Sequence, residues 1–503
     1  MDAVCKVDVT SARKCIAVPD KPGQRPPDVV LAGPFGGVHL PGTSGSAPDP
    51  ADQGEEHGVR RHHEGRGEGR GDRRGRGAAR TATVLAAVLA LAATVGGCGS
   101  GDAVEGADEE VALRLVAPEY GDSAKTSSKG YWKRVVASFE KGHPGTTVDV
   151  EVHPWRTVDK VLARQVATGN APDLAVSGTY ASYAADGELH RADDLLSIGT
   201  QADFLPPLAR AGEIQRVQYG MPFAASTRLL FYNRDLFEEA GLTPPKTWDG
   251  VRTAAEALKK RDVPYPYALP LGPEEAQAET LNWLLSGGSG YTDDLGSYTL
   301  DSPKNVETVG WLKKELVGEG LTGPTPPGEL DRADAYAAFA KGRVGMVNGH
   351  PSLMRAAERS GVRYGVVPVP GRTEDAGATL GVTDWMIGFR QAGHPEEAGA
   401  FLDHVYSEKN VLALTRAHDL LPVTHTASDT LTAAPGNTTL RRFLAELPEA
   451  RLYPSEKTSW PELSTRIKAG LADAVAPGGS PKAVLSRLQR HAAAYENPQA
   501  GNG

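Results

Sequence analysis

Two rhythms of apolar side chains alternate through residues 111–176. Residues 111–117 (VALRLVA) form an apolar run broken only by Arg114, which predicts a buried strand. Trp132, Val135, Val136 and Phe139 follow at i, i+3, i+4 and i+7, one stripe on a helix that Gly142 and Pro144 end. Residues 147–152 predict a second strand, residues 158–166 a helix stopping at Gly169, and residues 171–176 (APDLAV) a third strand. Strand, helix, strand, helix, strand implies a parallel sheet with right-handed crossovers. Ligands of such sheets sit beyond the carboxyl ends of the strands.

The pattern then changes. In residues 219–248 (YGMPFAASTRLLFYNRDLFEEAGLTPPKTW) the residue before Pro222 is pushed to an extended conformation. Residues 229–232 read as a short strand, and residues 235–240 as a brief helix closed by Gly241 and followed by Pro244 and Pro245. Thr247 is a natural N-cap for the next helix. Further helices are expected at 251–260, 276–285, 306–316 and around Ala335, Ala338 and Phe339, with strands at 265–271 and 344–347. Strands are expected at 364–370 and 384–389, then a helix from Pro395 and a helical remainder.

The order of YG-x-P, YNRDLFEEAGL and PPKTW resembles the family 1 extracellular solute-binding proteins of ABC importers, the maltose-binding-protein type. The first-lobe pieces FEKGHPGTTVDVEV, TGNAPDLAVSG and LHRADDLL extend the resemblance over nearly all of the chain after Cys98. It implies a two-lobed α/β periplasmic-binding-protein-like fold with a ligand cleft between lobes joined by hinge crossings. Residues 219–248 would carry the chain into the second lobe, and DRADAYAAFAKGRVGMVNGHPSL would return it to the first. In the latter, Gly345 stands where the family usually has alanine. The expected layout is 111–222 with 351–405 as first lobe and 223–350 with 406–496 as second.

Charge and cysteine refine the picture. Residues 1–97 carry 13 Lys/Arg and 11 Asp/Glu, leaving 41 and 52 for the rest, a net charge of −11. An acidic body argues against a nucleic-acid or anionic-membrane partner. The three cysteines, Cys5, Cys15 and Cys98, have no metal-ligand spacing. Arginines 70–80, an apolar run at 81–95 and Val95-Gly96-Gly97-Cys98 read as a secretory signal over 78–97 ending in a lipobox-like site, with Cys98 lipidated and 98–110 a tether. The apolar run is too short to span a bilayer, which takes about 20 residues. Residues 1–77, rich in Pro, Gly, Arg and His, read as a leader outside the native protein, with translation starting downstream, as at Val59; a disordered extension is the alternative.

Signatures of nucleotide, zinc and serine-hydrolase chemistry are missing, and neither a metal nor a cofactor is expected. Adjacent acids such as Asp193 with Asp194 and Asp293 with Asp294 do not supply the roughly 5 to 9 Å separation a glycosidase needs. A sugar site needs aromatic faces and groups that bond hydroxyls. Strand ends and crossings offer Glu119, Tyr120, Trp155, Ser177, Thr179, Ser226, Asn348, His350, Asp384 and Trp385, with Asn282 on a helix. Packing or loop hydrogen bonding is the competing role for each. The reading implied is a lipid-anchored extracytoplasmic protein that binds a sugar or oligosaccharide and delivers it to permease subunits. A secreted carbohydrate-active enzyme, a sensor, or a binder of another solute are the alternatives.

Overall fold

The computed structural model describes residues 110–121, 123–374 and 378–496. The leader and signal-peptide expectations, with Cys98 and the tether up to residue 109, lie outside the described residues. Among the described residues eleven strands are formed: β1 Val111–Glu119, β2 Thr146–Pro154, β3 Leu174–Ser177, β4 Glu213–Ile214, β5 Val217–Gln218, β6 Met221–Thr227, β7 Leu229–Asn233, β8 Tyr265–Tyr267, β9 Val344–Gly349, β10 Tyr364–Val367 and β11 Gly381–Gly388. They build a five-stranded sheet of order β2-β1-β3-β11-β6, a four-stranded sheet of order β10-β7-β9-β8, and the β4-β5 hairpin. This is the mixed α/β, two-lobed fold the sequence implied, one sheet to each lobe.

β1 pairs in parallel with β2 and β3, as the strand-helix rhythm predicts, and β11 enters antiparallel between β3 and β6. Period-two alternation divides the side chains between the two faces. Leu113, Leu115 and Ala117 face the Ser128–Glu140 helix and its Trp132, Val135 and Phe139. Val116 points the other way, into a smaller core with Val158 and Leu162 of the Trp155–Ala167 helix. The second sheet does the same: Phe231 and Val347 join the first core, whereas Leu230 and Met346 join a third built on Trp248, Leu258 and Trp283.

Two expectations about the second half are corrected. β9 is followed by the Ser352–Arg359 helix and β10, and β10 pairs antiparallel with β7 in the four-stranded sheet. The chain therefore does not return to the first lobe after Gly349, and Tyr364–Val367 is not a first-lobe strand. The return runs between β10 and β11. Gly365 permits the pairing, because a Cβ there would sit 2.3 Å from the Tyr232 ring. The C-terminal helices also divide. The Glu408–His418 helix packs on the Ser128–Glu140 helix, and the Thr438–Glu446 helix packs on β6, where Thr227 donates to the Phe443 carbonyl at 2.9 Å. The Trp460–Gly470 and Pro481–Glu496 helices join the core around Trp283.

Three stretches thus connect the lobes, and they lie side by side. Arg228 follows β6, with its N–H on Thr379 Oγ1 at 3.2 Å and its carbonyl accepting from the same hydroxyl at 2.7 Å. Arg451 lies on the third, giving its N–H to the Thr379 carbonyl and accepting from Gly381 N–H.

Candidate functional site

The carboxyl ends of β1 and β3 and the middle of β11 bring five of the predicted residues together. Tyr120 follows β1 and donates its hydroxyl to Asp384 Oδ2 at 2.7 Å. Its ring meets Trp155 edge-on at 5.6 Å, with Phe223 at 6.5 Å and His418 at 5.7 Å. Trp155 opens the helix after β2 and is half-buried. Ser177 ends β3, fully buried, and donates to Asp159 Oδ1 at 2.9 Å while accepting the Thr179 N–H at 3.1 Å.

Two carboxyl groups dominate the electrostatics of this wall. Burial pushes Asp384 up to about 7; the Tyr120 bond pulls it down and the charge of Asp159 pushes it further up. Asp159 is likewise raised by burial, against the Ser177 and Gly178 bonds and the charge of Lys468. Asp159 was missed in the sequence, although it stands four residues after Trp155 on the same helix face.

Glu119 and Trp385 serve differently. Glu119 Oε1 accepts the backbone N–H groups of Gly121 and Ser128, at 2.9 and 2.7 Å, and Oε2 accepts from Ser127. Burial raises its pKa, and those bonds more than offset the rise, leaving it below the ordinary value. Its carboxylate thus pins the loop that starts the Ser128–Glu140 helix. Trp385 is 1% exposed, edge-on to Tyr180 at 5.1 Å, and a Cβ on Gly220 would lie 2.8 Å from its ring. A register shift between Asp384 and Trp385 accompanies its place in the core with Val158 and Leu162. The expectation that this indole faces the cleft is not what the structure shows.

On the other lobe the central group is Arg228, 5% exposed. It donates to Ser226 Oγ at 3.2 Å and Glu275 Oε1 at 2.6 Å. Glu275 Oε2 in turn meets Arg332 at 2.6 Å, and Arg332 also pairs with Glu274 and lies 5.2 Å over the Tyr336 ring. His350 adjoins this chain, 3.3 Å from Arg332 and 3.0 Å from Ser352 Oγ. Burial and the two arginines hold it well below the usual histidine range, so it is neutral. Ser226 and His350 were singled out in the sequence; Arg228, Glu275 and Arg332 were not, and only the position of Arg228 beside a crossing marked it. Asn282 and Asn348 are 0% and 4% exposed, beneath this surface. Asn348 donates to Glu279 at 3.1 Å and Asn282 accepts from Leu380 N–H at 3.3 Å.

The two walls are in electrostatic reach: Lys468 acts on Asp159, and Glu456 on Tyr180. Surface hollows of about 430 and 250 Å³ lie elsewhere, the larger around Trp248 and Trp311, the smaller beside Phe389 and Arg390. In the larger one the Trp248 face is already covered by Arg372 at 5.1 Å. Among the described residues no cluster of three or more His, Cys, Asp or Glu has metal-binding geometry, and no helix is long and apolar enough to cross a membrane.

Comparisons with known proteins agree with this architecture. The profile of the bacterial extracellular solute-binding proteins matches residues 123–411. A Brucella abortus (strain 2308) protein whose name states binding without a ligand is 29% identical over 380 residues, spanning 74% of this chain and 90% of that one. The galactooligosaccharide-binding protein of Bacillus subtilis (strain 168) is 28% identical over 299 residues, 52% of this chain and 65% of that one. The GacH receptor of Streptomyces glaucescens, solved with acarbose, superposes with a TM-score of 0.65 at 20% identity, covering 76% of this chain and 97% of that one. With its two sheets, its side-by-side crossings and a profile match over more than half its length, the chain belongs to the family of bacterial extracellular solute-binding proteins, which bind solutes rather than transform them.

Proposed function

We propose that this protein captures a sugar or oligosaccharide between its lobes outside the cytoplasmic membrane, is anchored there by a lipid on Cys98, and delivers the sugar to the permease subunits of an ABC importer. The observation that carries the reading is the pairing of unlike walls. Tyr120 and Trp155 offer aromatic surface beside the carboxyl groups of Asp384 and Asp159. Across the crossings stand the Arg228, Glu275 and Arg332 charges. Pyranose rings need apolar faces and a few fixed donors and acceptors, and the names of several relatives supply the same solute class. A solute that touches both walls favours the closed arrangement; one that touches a single wall does not.

The test is a thermal-shift screen of the full chain against mono- and oligosaccharides, with amino acids, polyamines and phosphate compounds as controls. A binder at one hundred times its dissociation constant adds about 2.7 kcal/mol of stability. A saturable shift with one glycan class, lost in Trp155→Ala, is expected; a shift only with a control compound overturns the sugar assignment. For the anchor, Cys98→Ser is expected to move the protein from the detergent to the aqueous phase on detergent partitioning, and an unchanged distribution refutes it.

A further inference from the structure

Glu279 is a buried acid, 7% exposed, on the Ala276–Ser286 helix, every residue of which is buried. Its Oε1 accepts from Trp283 Nε1 at 2.7 Å, Tyr267 Oη at 3.1 Å and Asn348 Nδ2 at 3.1 Å. Asn348 Oδ1, equally buried, has no donor among the described residues. When a carboxamide donates the hydrogen cis to its own oxygen to one oxygen of a carboxyl group, its own oxygen faces the other. A proton on Glu279 Oε2 then supplies the missing donor and closes a two-bond ring with Asn348.

Glu279 and Asn282 lie three residues apart on one face of the helix and Glu275 is its N-cap residue; Glu275 and Asn282 reach the crossings. Glu275 holds the Arg228 guanidinium on the first, and Asn282 holds the Leu380 N–H on the second. Through Thr379 and Arg451 the third crossing is tied to these two. The N-cap and second turn of one helix therefore grip the strands about which the lobes turn.

We propose that Glu279 and Asn282 are positioning residues of the hinge: protonated Glu279, ringed with Asn348, keeps the helix seated on the crossings, and the ionised form loosens them by competing with Glu275 for Arg228. This rests on the reading that the two lobes close on a solute. Burial, opposed by the bonds from Trp283, Tyr267 and Asn348 and by the charge of Arg228, pushes Glu279 up to about 7, so the change falls near neutral pH. Of the groups around it, Tyr267 titrates well above this range, Arg228 keeps its charge, and His350 beyond Arg228 is held neutral.

Ile198 and Leu295 are 86% and 91% exposed, one on each lobe, and suit spin labels. In the full chain with Cys5, Cys15 and Cys98 changed to serine, Ile198→Cys and Leu295→Cys allow the inter-lobe distance distribution to be measured by pulsed electron paramagnetic resonance. No solute is added, and pH runs from 5.5 to 8.5. A narrow distribution that broadens with a midpoint near pH 7 is expected. Glu279→Gln, whose amide reproduces the ring with Asn348, is expected to stay narrow throughout, and Asn282→Ala to be broad at every pH. A pH-independent wild-type distribution, or the same pH dependence in Glu279→Gln, overturns the inference. The thermal-shift screen decides the sugar reading separately, whichever result is obtained here. If Glu279→Gln does not fold, the wild-type series and Asn282→Ala still decide.

Discussion

Asp384 has a folded-state pKa of about 7 against an ordinary value of 3.8. A carboxyl group raised in this way contributes stability that is complete below pH 4 and is lost as pH rises toward 7. Asp384→Asn keeps an acceptor for Tyr120 and has no charge to bury. Its stability relative to wild type is therefore expected to improve by up to about 1.4 kcal/mol per unit of pH across that window and to level off above it. Denaturant melts at each pH measure the difference, and a constant gap refutes it. The comparison removes the opposite contribution of His350, which is common to both proteins. At this scale the sequence spoke through strand ends: Tyr120, Ser177, Thr179 and Asp384 all meet near the ends of β1 and β3. It misled where a register shift turned Trp385 into the core. It offered Glu119 as a binder, whereas that carboxylate is taken up by its own loop, the competing role.

Elements were legible wherever a local rule sets them. Gly241 closes the Arg234–Ala240 helix at φ 66°, and Thr247 caps the next, its hydroxyl accepting from Gly250 N–H at 3.2 Å. Sheet membership was not legible, because β10 is too short and uniformly apolar to say which sheet it joins. Only its long-range pairing with β7 decides. Gly345 shows how an innocent exchange acquires meaning in place. A Cβ there would stand 2.4 Å from Leu258 Cδ1 and 2.7 Å from the Pro266 carbonyl oxygen. Gly345→Ala, which matches the family's usual residue, is expected to destabilise this chain by about 1–3 kcal/mol. An unaltered denaturation midpoint refutes it.

For the molecule as a whole, the three lobe connections lie together, which leaves rotation about one axis as the easiest large motion. A solute bridging the walls is expected to lower the radius of gyration in solution scattering and raise the melting temperature over the same concentration range. A thermal shift without contraction would mean that the solute sits on one lobe. The two-lobed plan was readable because strand-helix alternation and crossing motifs repeat along the chain. The return crossing was misplaced, since a chain leaving β9 has no local mark for which lobe it enters.

Trp132, Trp248, Trp283, Trp385 and Trp460 are each at most 4% exposed, and half-buried Trp311 packs against Trp248 and Trp283. Trp155 alone among the seven tryptophans stands at the candidate site. The protein therefore carries a native optical probe at the place where capture would occur: solute-dependent changes in emission should originate there and vanish in Trp155→Phe, with the remaining indoles as a steady background.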